Sequence, residues 1–326
     1  MLYLHDGHIR GMGVDWHKLT DIVKEAVRIK AEGDCAFPLK PYLRFQDPVN
    51  RIIAMPAYAG GSIRRAGIKW IASFPGNHRH GLPRAHNTII LNDPDTGRPT
   101  AFFYCGLLNA LRTAAVSGAM LNAYRAARPS AACSLGIIGW GPIGRTHLDM
   151  AAALLGDRLE RVRLYDRRPI DPETIPPALR AKTEIAEDWR SVYRNSDIFA
   201  TCTVSPDRYI DEPPPRGTLL LNVSLRDYQP ESVAGIRAVV VDDWQEICRE
   251  NTDIERLHLE KGLQPEGALL LEDVLWGSAL SRYAPEEPVF FNPMGLAIFD
   301  MAIAGFYHEE ALRQGRGIEL EEPPAP

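Results

Sequence analysis

The sequence predicts an α/β protein of two domains, and three observations predict it. Residues 42–104 carry short β-prone pieces separated by turn residues. A regular strand–helix alternation begins near residue 134. Glycines stand at 139, 141 and 144, with more than a hundred residues in front of them. A Rossmann-like dinucleotide-binding domain is therefore expected over residues 113–291, set into a second α/β domain built from residues 1–112 and 292–326. The length of 326 residues agrees, at roughly 150 residues per domain.

Composition narrows the class. Hydrophobic residues make up 45% and charged residues 24%, which is ordinary for a globular chain with a sizeable core. A formal net charge of −5 and the lack of a long basic run argue against nucleic acid and acidic membrane surfaces as partners. No apolar run approaches the ~18 residues of a spanning helix. The opening Met1-Leu-Tyr-Leu-His-Asp6 lacks the basic and apolar regions of a secretory leader. Cys35, Cys105, Cys133, Cys202 and Cys248 are odd in number and scattered, without metal spacing or a disulfide framework. Reduced thiols in a cytoplasmic protein, and no metal, are expected.

In order along the chain, Asp15 reads as the N-cap of a helix to about Glu32, with Leu19, Ile22, Val23, Ala26 and Val27 at helical spacing and Gly33 as the stop. Strands follow at Arg51–Met55, Gly67–Ile71 and Thr88–Leu91. The turn Asn92-Asp-Pro-Asp-Thr-Gly97 suits a hairpin into Thr100–Tyr104. A mainly antiparallel sheet with one leading helix results. A long helix over Leu107–Ala127 is rich in small residues, so another element can approach it closely. Strands are then expected at Ser134–Ile138, Arg161–Tyr165, Ile198–Val204, Thr218–Val223 and Ala238–Val241. The proline-rich crossover 168–188 predicts a short or missing helix. Helices are expected over Trp244–Lys261 and Leu296–Gln314, and a frayed tail over 321–326.

The spacing G-x-G-x-x-G is weak by itself, but here it follows an apolar strand, opens a helix at Pro142, and precedes a second strand ending in Asp166. Gly139 permits a tight turn, Gly141 a close approach of backbone to pyrophosphate, and Gly144 close helix–strand packing. The helix N-terminus, with Pro142 and Ile143 in its first turn, adds free amides and partial positive charge. Asp166 suits a ribose 2′-hydroxyl and so favours NAD over NADP, although Arg167 and Arg168 are able to receive a 2′-phosphate. Trp140 is expected to cover the turn or contact the pyrophosphate region. His147 reads as a partly exposed surface residue.

In the front segment, Lys40, Arg44, Lys69, Arg84 and Arg112 sit among apolar or small residues. Lys69 interrupts Gly67-Ile-Lys-Trp-Ile71, and Arg112 shares a helix with Leu108, Leu111 and Ala115. Buried cations need partners. Each one singly reads as paired with an internal carboxylate or as snorkelling. Four anchors together (Arg44, Lys69, Arg84, Arg112) point to a pocket for a small acidic amino acid with more than one carboxylate.

Arg112-Thr-Ala-Ala-Val-Ser117, Gly139-Trp-Gly-Pro-Ile-Gly144 and Asn292-Pro-Met-Gly-Leu-Ala-Ile-Phe-Asp300, in this order, resemble the ornithine cyclodeaminase/μ-crystallin family over nearly the whole chain. Leu39–Arg44, Arg51–Pro56, Gly67–Ile71, Ile89–Pro94, Thr201-Cys-Thr-Val204 and Val239–Trp244 look like its 2,3-diaminopropionate-forming branch. That resemblance implies NAD-dependent oxidation of N-(1-amino-1-carboxy-2-ethyl)-glutamate to 2,3-diaminopropionate and 2-oxoglutarate, supplying siderophore or peptide antibiotic assembly. It implies substrate anchoring by Arg44, Lys69 and Arg112, catalysis by Asp227 and Lys69, cofactor contacts from Thr203 and Val204, and a homodimer through the front sheets. Asp300 is given a supporting role, and Asp242 and Asp243 are expected to cap the next helix. Cyclodeaminases carry a Glu before the front-sheet Met-Pro, whereas this chain has Ala54 there; Arg84 would suit an additional carboxylate. Two readings stay open beside it: ornithine cyclodeaminase or a related imine or amino-acid dehydrogenase, and a non-catalytic NAD(P)-binding protein.

Overall fold

A computed structural model describes residues 1–129 and 132–321; the expected tail beyond Glu321 lies outside the described residues. The chain divides into two compact units, one of Met1–Arg112 with the stretch from Leu296 onward, the other of Thr113–Gly295.

The first unit is built on an eight-stranded sheet. Its order is Ile318–Glu319, Leu2–His5, Pro99–Tyr104, Ala85–Asn92, Arg65–Ser73, Arg51–Ala59 and Cys35–Ala36, with Tyr42–Leu43 also paired to Arg51–Ala59. All pairs are antiparallel except Leu2–His5 with Pro99–Tyr104. That first strand and the Asp6–Met12 helix after it go beyond the single leading helix expected; four residues with Leu2 and Leu4 turned inward are too short a pattern to read. Asp15 caps the Trp16–Ala31 helix by accepting from the Lys18 amide at 3.0 Å. The Ala297–Gln314 helix packs on the Arg51–Ala59 and Arg65–Ser73 strands.

Strand alternation sorts the sheet into two faces. Met55, Lys69, Ile89, Phe103 and Leu4 lie on the inner face and are buried. The outer face carries Pro56, Ile68, Ile90, Phe102 and Tyr3 in one cross-strand row. A second row holds Ala54, Trp70, Thr88 and Tyr104, and Trp70 is 42% exposed.

The second unit is a parallel sheet in the order Thr183–Ile185, Leu159–Tyr165, Cys133–Ile138, Ile198–Thr201, Leu219–Asn222, Val289–Asn292, Ala238–Val241, Ala268–Leu270. The order reverses between Cys133–Ile138 and Ile198–Thr201, the switch point at which doubly wound sheets bind ligands. Val289–Asn292 enters late in the chain yet takes an inner position. Residues 292–295, expected with the front domain, therefore belong to this unit. Asp242 contributes: it accepts from the Met294 and Gly295 amides at 2.9 and 2.7 Å, instead of capping a helix as expected. Asp243 does cap, through the Glu246 amide. The helix expected over Trp244–Lys261 is two, Trp244–Ile247 and Asp253–Lys261, because Glu250 and Asn251 take positive φ and Thr252 caps the second. The crossover 168–188 keeps only Pro172–Thr174 and Pro177–Arg180 as short helical turns.

The Gly106–Ala127 helix continues from the first unit into the second. Ala110, Ala114, Ala115, Ser117 and Ala119 along it are all buried. No helix among the described residues is long and apolar enough to cross a membrane.

Candidate active site

Each unit carries its own cluster of reactive groups. In the second, the glycine loop joins the Cys133–Ile138 strand to the Pro142–Leu155 helix. Gly139 has φ +96°, and a Cβ there would lie 2.4 Å from Cys202 O. A Cβ on Gly144 would lie 2.0 Å from Gly139 O, whereas one on Gly141 meets nothing within 4 Å. Two glycines thus close the turn, and the third leaves open the cradle that a pyrophosphate needs. Asp166 is fixed beside it: Oδ2 accepts from the Trp140 amide at 2.8 Å and Oδ1 from the Arg168 amide at 2.9 Å. The Arg168 guanidinium lies 3.6 Å from Oδ1, and Arg167 is exposed. Trp140 is buried over the turn, its indole donating to Thr174 Oγ1 at 2.8 Å. These residues fit a dinucleotide.

The loop supports a paired prediction. Gly144→Ala overpacks against backbone and destabilises the fold by about 1–3 kcal/mol, read in thermal unfolding. Gly141→Ala leaves stability unchanged but blocks one phosphate contact, so NAD binding weakens roughly ten- to a hundredfold in a fluorescence titration.

His147 is not at the surface. It is 1% exposed, with Nδ1 donating to Ile143 O (2.8 Å) and Nε2 accepting from Ser117 Oγ (2.9 Å). Burial pulls its pKa down to about 4, so the ring is neutral. The three-residue step from Gly144 turns it against the small-residue helix, a partner that local spacing does not reveal.

Asp227 lies in the loop after the Leu219–Asn222 strand and is 1% exposed. Thr203 donates to its Oδ1 and Ser224 to its Oδ2. Burial raises its pKa above the usual carboxylate range, opposed by the Ser224 and Thr203 hydroxyls. The Ile198–Thr201 strand ends before Thr203, whose hydroxyl thus serves Asp227; Val204 is exposed. Ser224, which sequence reading missed, stands three residues before Asp227.

In the first unit, Lys69 is 1% exposed, and its Nζ reaches Asp300 Oδ1 at 3.0 Å and Asn109 Oδ1 at 2.6 Å. Arg112 Nε donates to the same Asp300 oxygen at 3.0 Å, and its Nη2 to Asn109 at 3.4 Å. Asn109, one helical turn before Arg112, was also missed; the i, i+3 spacing is the signal that finds it. Lys40 is buried near Lys69. Two buried cations, Lys69 and Arg112, thus share one oxygen of the Asp300 carboxylate. Burial, then the adjacent Arg112, pull the Lys69 pKa down to about 7 against the opposing pull of Asp300. Arg44 and Arg84 are not brought into this cluster. Both are exposed, Arg44 over the Tyr42 ring at 5.1 Å and Arg84 accepting at its carbonyl from the Phe74 amide.

Known proteins resemble this chain in sequence and in fold. The profile of the ornithine cyclodeaminase/mu-crystallin family matches residues 11–315. N-((2S)-2-amino-2-carboxyethyl)-L-glutamate dehydrogenase of Staphylococcus aureus is 36% identical over 337 aligned positions, which cover 98% of each chain. Δ1-pyrroline-2-carboxylate reductase of Thermococcus litoralis, solved with NADH and L-proline, matches with a TM-score of 0.84 at 25% identity, over 98% of this chain and 100% of that one. An archaeal alanine dehydrogenase dimer with bound NAD matches with a TM-score of 0.80 at 25% identity, over 98% and 99%. With a family profile spanning most of its length and a full-length relative above 30% identity, the chain belongs to the ornithine cyclodeaminase/mu-crystallin family.

Proposed function

We propose that this chain, an NAD-dependent oxidoreductase, oxidises N-((2S)-2-amino-2-carboxyethyl)-L-glutamate and releases 2,3-diaminopropionate and 2-oxoglutarate. One observation carries the substrate class: the buried Lys69 and Arg112 share a single oxygen of the Asp300 carboxylate. An excess of buried positive charge is stabilised by an anionic ligand. The 36% identical relative named for this substrate supports the specific reading. The product supplies siderophore or peptide antibiotic assembly, and five cysteines free of disulfides support a cytoplasmic setting.

Residues of the chain divide the work. Gly139, Trp140, Gly141, Pro142, Ile143, Gly144, Asp166, Arg167, Thr203 and Val204 hold NAD, which supplies the hydride acceptor when bound. Lys69 and Arg112 hold a glutamyl carboxylate, and Arg44 and Arg84, exposed outside their cluster, meet the substrate's remaining carboxylates. Asp227 accepts the proton of the secondary amine, or takes one from the water that attacks the imine carbon and returns it to the departing amine as the carbinolamine carbon–nitrogen bond breaks. Incubation of the purified chain with NAD and the aminocarboxyethyl-glutamate yields equimolar NADH, 2-oxoglutarate and 2,3-diaminopropionate by mass spectrometry. Turnover of ornithine or alanine, with none of this substrate, sinks the reading.

Lys69 ties binding to pH. At pH 8 the free side chain, with its pKa near 7, is largely neutral. A bound carboxylate favours the ammonium and raises that pKa. Binding of 2-oxoglutarate therefore takes up protons at pH 8 and weakens as pH climbs from 7 to 9. Calorimetry in buffers of different ionisation enthalpy measures the uptake, and Lys69→Met abolishes it.

The chain acts as a homodimer through the outer face of the front sheet. Trp70, Ile90 and Tyr104, all exposed, form with Ile68 and Phe102 an apolar surface larger than scattered residues produce. The dimeric alanine dehydrogenase relative supports this. Trp70→Glu, which places charge in that face, shifts the mass measured by light scattering from dimer to monomer.

A further inference from the structure

The loop that carries Asp227 is gripped by a buried side chain that the chemistry above leaves unused. Asp253 is the first residue of the Asp253–Lys261 helix and is 2% exposed. Its Oδ2 accepts from the backbone amides of Asp227 (3.2 Å) and Tyr228 (3.3 Å) and from Asn222 Nδ2 (2.9 Å). Its own amide donates to Leu225 O at 2.8 Å. Between these grips Leu225 takes φ +67°, a conformation that a side-chain-bearing residue keeps only where its surroundings over-determine it. Asn222 completes the hold, its Oδ1 accepting from the Leu225 amide at 3.0 Å and from Thr201 Oγ1 at 3.1 Å.

A neutral acceptor would serve to hold amides. Here the holder is a second buried acid beside Asp227, and its other oxygen accepts from Arg208 Nε at 2.7 Å. Burial raises the Asp253 pKa, while Arg208 and Asn222 pull it back down. The other titratable groups near Asp227 are the Tyr209 and Tyr228 phenols and the Cys202 thiol, all raised by burial and therefore neutral. The charge of Asp253 bears on Asp227 and is itself paired with Arg208, while Arg226, next to Asp227 in the chain, donates to the Ser224 and Glu250 carbonyls.

We propose that Asp253 is a positioning residue for Asp227: it fixes the loop that aims the Asp227 carboxyl, and its charge, balanced by Arg208, sets the pH range over which that carboxyl ionises. The proposal rests on Asp227 being the acid–base group. The full-length chain, labelled at aspartate carboxyl carbons and saturated with NAD, is titrated by NMR, with the Asp227 signal assigned by its loss in Asp227→Asn. In Asp253→Asn the Asp227 transition moves to lower pH by about one pH unit, since a neighbouring negative charge is gone. With it, kcat falls on the order of 10- to 100-fold, as when the groups orienting a reactive residue are removed, while KM for NAD holds. Arg208→Gln moves the transition to higher pH and serves alone if Asp253→Asn fails to fold. An Asp227 titration unchanged in a folded variant overturns the proposal, including where kcat falls. Because unfolding ends burial and also lowers the transition, the shift counts only where the variant keeps the parent's thermal unfolding. A shift seen only with lost folding overturns the proposal too. Lack of turnover by the parent chain counts against the proposed function only, since the titration needs none.

Discussion

Asp227→Asn lowers turnover by about 10²–10⁴-fold, the usual contribution of a general acid–base group, and leaves NAD affinity unchanged. The substitution is nearly isosteric, and the backbone contacts of the residue survive it. The Asp227 amide still donates to Asp253, and its carbonyl still accepts from the Tyr209 and Ile210 amides at 2.9 Å each. One side-chain oxygen remains for a hydroxyl donor, and the new amide has Thr203 or Ser224 oxygen to donate to. Only the ability to take a proton is lost. Because burial raises the Asp227 pKa, the parent rate climbs as pH rises through that pKa, and the variant lacks this limb. Steady-state rates across pH, with NAD affinity measured by fluorescence, check both halves. Turnover within twofold of the parent would remove Asp227 from the mechanism.

Asp300→Ala destabilises the chain by about 3–5 kcal/mol, the range for removing one partner of a buried ion pair. Asp300 Oδ1 serves Lys69 and Arg112 together, so its loss strands two cations with only Asn109 between them. The loss is larger at pH 6 than at pH 9. Lys69, already near 7, sheds its proton above that pH and escapes part of the penalty, whereas Arg112 stays charged. Chemical denaturation at the two pH values measures this. A change below ~1 kcal/mol at both would mean that solvent or another acid reaches the cluster. Asp300→Asn keeps the acceptor and costs less.

These two residues differ in how far the sequence exposed them. The family resemblance points to Asp227 behind an apolar strand, and a strand, Leu219–Asn222, does precede it. Lys69 and Arg112 stood out because each interrupts an apolar run, a local and visible anomaly. Asp300 reads in sequence only as an accessory, and Asn109, Ser224 and Asp253 do not stand out, since polar residues near helix starts and loops are common. His147 reads as a surface residue for a similar reason: its burial comes from the Gly106–Ala127 helix, not from its own neighbours. Arg44 and Arg84 look alike to Arg112 in sequence, yet they are exposed.

By itself the sequence determined what is encoded locally: the alternating strands, the caps at Asp15 and Asp243, and the glycine turn, each set by spacing and steric freedom over a few residues. Only the tertiary structure decided which charges share a buried environment. Asp300 meets Lys69 across 231 positions and Arg112 across 188. Neither pairing has a local signature, because burial and charge pairing are properties of packing. The late Val289–Asn292 strand belongs to the same category, placed inside the sheet by its neighbours on both edges and by Asp242 beneath the residues that follow it.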